Sequence, residues 1–209
     1  MGNFKAMPYS EKYDVVRDNT AFGERLAADF ITTHLDDQAG TELREAQREG
    51  IRPIPEDASA EEKYETAYGN WISTAKTNLR FIRERMGEEG ITRFVDFEAE
   101  ALKRKNASPS LLMLSVIRAL SAKTAFNMTA KEFAYQLQWI TPFSVSELNP
   151  DKAVFDIPRC KVLDYPETED VCQVGCQRVY PKWVAEQFKI GMTFDLQGHS
   201  CKCTVTPLG

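Results

Sequence analysis

The spacing of apolar residues predicts helices over the first two-thirds of the chain. Apolar side chains recur three or four residues apart through most of this region, which is the spacing of one helix face. Ser59 and Glu62 form a capping-box pattern, which marks the start of the best-defined helix. Residues 1–17 show no clear period and are expected to form an arm that packs on another part of the molecule. Helices are predicted at about 20–37, 41–49, 59–87, 91–105 and 109–124.

The hydrophobic period changes after residue 130. Phe133, Tyr135, Leu137 and Trp139 alternate with Ala and Gln, and this two-residue period predicts a half-buried strand. A helix is expected at 170–188, interrupted at Pro181. Further strands are predicted at 153–157, 192–196 and 201–206, the last two joined by a turn at 198–200.

These elements predict an α+β fold in which N-terminal helices pack on a small antiparallel sheet with one late helix. The chain has 209 residues, which fits a single domain. The predicted division is an N-terminal helical arm at 1–55, followed by an α+β domain at 56–209 whose C-terminal part carries the cysteines.

Composition and charge narrow the possible functions. The net charge is −5 with both signs interspersed, and no basic stripe with interleaved aromatics occurs, so a nucleic-acid partner is not expected. The longest apolar stretch, at 111–117, is too short to span a membrane, and the N-terminus has no signal-peptide pattern. We therefore expect a cytoplasmic protein, whose cysteines serve as thiols, metal ligands or catalytic groups rather than disulfides.

All five cysteines lie in the last fifty residues. Cys172 and Cys176 are four apart and share one face if the segment is helical. Cys201 and Cys203 are two apart and point to the same face of a strand. The sequence therefore predicts that a thiol pair from the late helix and a pair from the sheet converge, with Cys160 as the fifth cysteine.

Three interpretations of these cysteines remain open. They are buried small hydrophobic residues, as free cysteines commonly are. Alternatively, all five contribute ligands to zinc or an iron–sulfur cluster, although C-x₃-C with C-x-C is not the usual zinc spacing. In the third interpretation, Cys176 or Cys201 is a nucleophile.

A catalytic thiol would need a base and a substrate-binding group. His199 directly precedes the last cysteine pair and is the candidate base, whereas the chain's other histidine, His34, is expected at the surface. Arg178 or Lys202 is the candidate partner for a substrate carboxylate, and Trp139 is a candidate substrate contact. No serine-hydrolase elbow, dinucleotide fingerprint or phosphate-binding loop occurs in the sequence.

The C-terminal pattern resembles the L-2-amino-thiazoline-4-carboxylic acid hydrolase family, which is similar in layout to vinyl-reductase-type ligand-binding domains. The resemblance covers about residues 130–209. It consists of a strand leading to Cys160, the segment Cys172-Gln173-Val174-Gly175-Cys176 opening a helix, and a closing hairpin with Cys201-Lys202-Cys203. Cys203 departs from the family pattern, in which an aromatic or aliphatic residue is common.

The resemblance implies a small-molecule hydrolase that acts on a cyclic amidine or related C–N bond. The second hypothesis is a non-catalytic sensor or carrier, which binds a metal, a cluster or a small ligand through the same cysteines. In the third, the chain is a structural or interaction protein and the cysteines are core.

Overall fold

The computed structural model describes residues 5–107 and 117–208. The chain begins with two helices, α1 (Tyr9–His34) and α2 (Asp37–Glu49). The first helix was predicted to start at about residue 20 but begins at Tyr9, so most of the arm predicted at 1–17 is helical. The predicted helix at 109–124 lies largely outside the described residues; its last part is helical at 117–120, and a new helix begins at Ala122.

The long helix α3 (Ala60–Lys105) confirms the predicted capping box. The Ser59 hydroxyl accepts from the Glu62 backbone N–H, and the Glu62 carboxylate accepts from the Ser59 N–H at 2.9 Å. At Gly87 the backbone leaves the helical region, with φ 65° and ψ −164°, and this residue divides α3 into the two segments that the sequence predicted. Helix α1 packs along α3, and Phe30 contacts Phe94 edge-on.

Residues 122–137 form a helix, α4 (Ala122–Leu137), so the strand predicted at 133–139 is wrong. The aromatic alternation concealed a helical stripe of small and apolar residues four apart: Phe126, Ala130 and Ala134 are all buried. Tyr135 lies on the other side, where its hydroxyl donates to Glu11 at 2.7 Å. The Ser121 hydroxyl, which accepts from the Thr124 N–H, caps the helix.

The sheet is antiparallel with strand order β1-β2-β4-β3. Strands β3 and β4 confirm the predicted hairpin, and β2 confirms the predicted strand at 153–157, whereas β1 had no counterpart in the sequence analysis. The four strands are β1 (Ser144–Asn149), β2 (Lys152–Ile157), β3 (Ile190–Gln197) and β4 (Ser200–Pro207).

A continuous helical segment precedes the hairpin. It consists of the short α5 (Glu169–Val171), a π-helix (Cys172–Val179) and α6 (Tyr180–Phe188), and it follows a 3₁₀ turn (Lys161–Asp164). The predicted interruption at Pro181 does not occur. Proline lacks a backbone N–H, and Pro181 lies in the first turn of α6, where the hydrogen-bond pattern changes and the missing donor is tolerated.

One hydrophobic core joins the N-terminal helices to the sheet. Its buried members run from Val16 in α1 through Tyr68 in α3 to Val205 in β4, so the region 1–55 shares the core of 56–209. Among the described residues, no helix combines the length and hydrophobicity of a membrane span. The α+β architecture itself is as predicted, with the sheet's inner face covered by the helices.

Candidate functional site

A cavity of about 450 Å³ lies between α4, the late helical segment and the inner face of the sheet. We call it the main cavity. Most of its wall is apolar, and polar side chains such as Asp18 and Lys105 contribute from α1 and the end of α3. Its aromatic lining consists of Phe133, Trp139, Tyr180, Trp183, Phe188 and Phe194.

Four of the five cysteines line the main cavity: Cys160, Cys172, Cys176 and Cys201. All five are free thiols. Cys203 is completely buried and packs in the sheet between Phe155 and Phe194, its register partners, so it belongs to the core. The predicted convergence of helix and sheet cysteines therefore holds for Cys201 but excludes Cys203.

Strand register and one backbone contact position these thiols. Cys201 pairs with Ile157 and Leu196, and the inner face of the sheet continues through Cys203 and Val205. Cys160 lies just beyond β2, where its N–H donates to the His199 carbonyl at 2.7 Å. The π-helix then brings Cys172 and Cys176 to the opposite wall, and π-helical turns of this kind are frequent at functional sites.

The four cavity cysteines differ in acidity. The Cys176 thiol donates a hydrogen bond to the Cys172 sulfur, which lowers the pKa of Cys172 and raises that of Cys176 well above its usual value. Burial raises the pKa of Cys160. Burial, together with repulsion from Cys172 and Cys160, raises the pKa of Cys201 to about 12. Cys172 is therefore the most acidic thiol in the site, whereas the predicted nucleophiles Cys176 and Cys201 are held as neutral thiols.

The thiol cluster does not have the arrangement of a metal centre. Within residues 5–107 and 117–208, no group of three or more His, Cys, Asp or Glu side chains is placed to hold a metal ion. Burial raises the pKa of Cys160, Cys201 and Cys203, which opposes the thiolate form that zinc and iron–sulfur clusters require. These residues therefore give no support to the zinc or cluster hypothesis.

Three predicted site residues lie outside the main cavity. His199 is exposed on the β3–β4 turn, and its Nδ1 is 3.7 Å from the Asp164 carboxylate. Lys202 points from the outer face of the sheet toward Asp156, 3.6 Å away. Arg178 donates to the Thr92 hydroxyl at 2.9 Å on an exposed surface. None of the three lines the cavity. Lys202 is next to Cys201 on β4 and therefore faces the opposite side of the sheet. Arg178 is two residues from Cys176 and therefore lies on a different face of the helix.

Trp139, the fourth predicted contact residue, does line the main cavity. Its side chain is buried and stacks edge-on against Trp71, with ring centroids 5.1 Å apart. Its carbonyl accepts from the Tyr64 hydroxyl at 2.9 Å, which fixes the turn after α4. Trp139 is therefore a rigid part of the wall.

A second, smaller cavity of about 110 Å³ adjoins the main one, and we call it the Glu98 cavity. Trp139, Cys176 and Tyr180 line both. Glu98 lies on the buried face of α3, four residues after Phe94 and four before Leu102, which are both buried. Glu98 was not among the residues predicted from the sequence, although a single acid on an apolar stripe was the available signal.

The carboxyl of Glu98 is enclosed by protein, and burial alone raises its pKa to about 7. Glu98 nonetheless keeps some accessible surface and is one of the residues that line the cavity. Tyr180 is likewise partly accessible and lines the cavity. Its pKa is raised by burial and by the charges of Cys176 and Glu98.

No protein-family model matches this chain, and no curated protein or solved structure is significantly similar to it.

Proposed function

We propose that the protein binds a small, largely apolar molecule in the main cavity and acts as a sensor or carrier. A volume of about 450 Å³ lies within the range of small-molecule sites, which are typically apolar with a few polar groups. The observation that carries the proposal is the wall itself, where six aromatic rings and four thiols line one cavity. The free thiols fit a reducing compartment, so we also propose a cytoplasmic location.

A neutral fluorescent probe, N-phenyl-1-naphthylamine, tests the proposal. We expect its emission to rise on mixing with the native protein and to show saturable binding. Ala130 is buried on α4 and lines the cavity, so Ala130→Phe fills part of the space and should weaken probe binding at least about tenfold. Met128→Phe, at an exposed position two residues earlier, is the control and should leave binding unchanged. If Ala130→Phe leaves the affinity for the probe unchanged, the proposal is contradicted.

The second candidate is the thiol hydrolase, and one observation favours it. Cys172 has a lowered pKa and lies on the cavity wall next to a proton donor, Cys176. In this mechanism the Cys172 sulfur bonds to the electron-poor carbon of a C=N group, and the π electrons move to nitrogen. Nitrogen then takes the proton of the Cys176 thiol. The second nitrogen of the amidine then passes its proton to the first, the C–N bond breaks and the amine leaves, so that the carbon stays bonded to the Cys172 sulfur and double-bonded to the second nitrogen. Water adds across this double bond, the C–S bond breaks to release Cys172 as a thiolate, and the proton of the new hydroxyl returns to Cys176.

Turnover of a thiazoline carboxylate tests this second candidate. Cys172→Ser should abolish hydrolysis, whereas Cys203→Ser, at a core position away from the cavity wall, should retain it if the variant folds. In this mechanism the Cys172 sulfur bonds to the carbon of the C=N group. Detection of a Cys172 adduct by mass spectrometry is therefore an independent readout. Hydrolysis that persists in Cys172→Ser excludes the mechanism and leaves the binding proposal intact.

A further inference from the structure

The Glu98 cavity places one ionisable acid in a largely apolar environment, and the described residues that line it include no basic side chain. The shift in the pKa of Glu98 comes from burial alone, without a contribution from a hydrogen bond or a neighbouring cation. No described side chain forms an ion pair with it within 4.0 Å. An unpaired buried carboxyl is costly, and proteins keep such groups mainly where they act on a ligand or a proton.

Aromatic rings surround the same cavity. Trp71 and Trp139 line it in an edge-to-face pair, and Tyr180 lines it from the first turn of α6. Aromatic rings next to a carboxylate are the usual components of a site for organic cations, since both the ring faces and the acid attract positive charge. The remaining lining residues carry no basic side chain, so no protein cation competes for Glu98 within the cavity.

We propose that the Glu98 cavity binds the ammonium group of a small organic amine whose apolar part lies in the main cavity. This inference rests on the proposed binding function and names its ligand class. The two cavities share Trp139, Cys176 and Tyr180, so one molecule can occupy both. The cavity volume of about 110 Å³ is below the roughly 150 Å³ that holds a benzene molecule, so it admits a head group but not a second ring.

The titratable groups that line the Glu98 cavity are Glu98, Cys176 and Tyr180. The hydrogen bond to Cys172 and then burial raise the pKa of Cys176, and burial raises the pKa of Tyr180, so the thiol and the phenol stay neutral near pH 7. Glu98 is therefore the group that changes charge. A bound ammonium favours the carboxylate, and amine binding at pH 6 consequently releases a proton from the protein.

Isothermal titration with 2-phenylethylamine and its neutral analogue 2-phenylethanol tests this. In the native protein at pH 7 we expect the amine to bind at least about tenfold more tightly than the alcohol, as a charge-assisted hydrogen bond predicts. Glu98→Gln should remove the preference for the amine without weakening the binding of the alcohol. Glu89→Gln, at an exposed position on the same helix, is the matched control and should keep the preference.

A second measurement uses the native protein alone. Titration of the amine at pH 6 in two buffers of different ionisation enthalpy should give different heats, because a proton is released, whereas the alcohol should release none. Equal binding of amine and alcohol, or a preference that survives Glu98→Gln, overturns the amine site while alcohol binding still upholds the main cavity. Failure of both compounds, together with failure of N-phenyl-1-naphthylamine, overturns the binding function as well.

Discussion

The Cys176 thiol donates a hydrogen bond to the Cys172 sulfur within the π-helix, and this contact separates the acidities of two cysteines on one wall. The donor stabilises negative charge on Cys172 and is itself kept protonated. Both residues line the main cavity, so the contact sets the charge of the surface that a ligand meets. In a binding protein this contact would set the charge that a ligand meets on the cavity wall. In a thiol enzyme it would provide the nucleophile, Cys172, and the proton donor, Cys176.

Removing the hydrogen-bond donor should make Cys172 less reactive. Cys176→Ala leaves the Cys172 thiolate without its donor, so its pKa rises and its rate of alkylation at pH 7 falls. The rate is measured by mass spectrometry with a small reagent such as iodoacetamide, peptide by peptide. Cys203→Ala is the control, because Cys203 does not line the cavity and its removal should leave Cys172 labelling unchanged. Faster labelling of Cys172 in Cys176→Ala would show that the donor does not act as described.

The buried acid predicts a pH dependence of stability. The pKa of Glu98 is about 7 in the folded protein against 4.5 as its ordinary value, so between these pH values the folded state binds more protons than the unfolded state. Stability should therefore fall as pH rises through this window, and the cost is complete above pH 7. At pH 8, Glu98→Gln should be more stable than the native protein by on the order of 2–3 kcal/mol.

Urea unfolding at pH 4.5 and pH 8 measures this difference. The gain from Glu98→Gln should be present at pH 8 and nearly absent at pH 4.5, where the native carboxyl is protonated in the folded state. Glu89→Gln serves as the control and should show no such pH-dependent gain. A gain of equal size at both pH values would mean that packing, not charge, separates the Gln variant from the native protein.

Local signals in the sequence predicted the parts of the fold that local chemistry determines. The capping box at Ser59 and the β3–β4 hairpin are recognisable because the residues that form them are close in the chain. The misassigned strand at 133–139 shows the limit, since Phe133 and Leu137 are four apart and fit a helix face as well as a strand. Tertiary packing of α4 on the sheet decided between them.

The sequence predicted that cysteines from the late helix and the sheet converge, but the cavity they line and their acidities required information that no local pattern contains. Cys160, Cys172 and Cys201 meet only because β2, the π-helix and β4 come together through long-range contacts. Which cysteine is acidic depends on a π-helical turn, and periodicity does not distinguish such a turn from an α-helix. The position of His199 outside the main cavity has the same origin, because it depends on how the hairpin is oriented.

Gly87 should resist replacement because of its backbone conformation rather than because of crowding. Its φ of 65° with ψ −164° lies in a region that side chains with a Cβ avoid, although no atom lies within 4 Å of a Cβ placed there. Gly87→Ala should therefore lower the free energy of unfolding by roughly 1–3 kcal/mol through backbone strain alone. Gly23→Ala, at an uncrowded helical position in α1, should instead raise it by about 0.5–1 kcal/mol. If both variants are stabilised, α3 has no obligatory kink.

Phe155 should be the side chain on which the attachment of the sheet to the helices most depends. It is fully buried at the centre of β2, and its ring packs edge-on against Phe133 of α4 at 5.7 Å and against Phe143 at 5.6 Å. Phe155→Ala leaves a void that neither neighbour can fill without losing its own contacts, so we expect a loss of about 3–5 kcal/mol in urea unfolding. Phe155→Leu keeps most of the volume and should lose clearly less, while Met128→Ala, exposed on α4, should change stability by less than about 0.5 kcal/mol. Equal losses from Phe155→Ala and Phe155→Leu would mean that ring contacts, rather than filled volume, hold the sheet on α4.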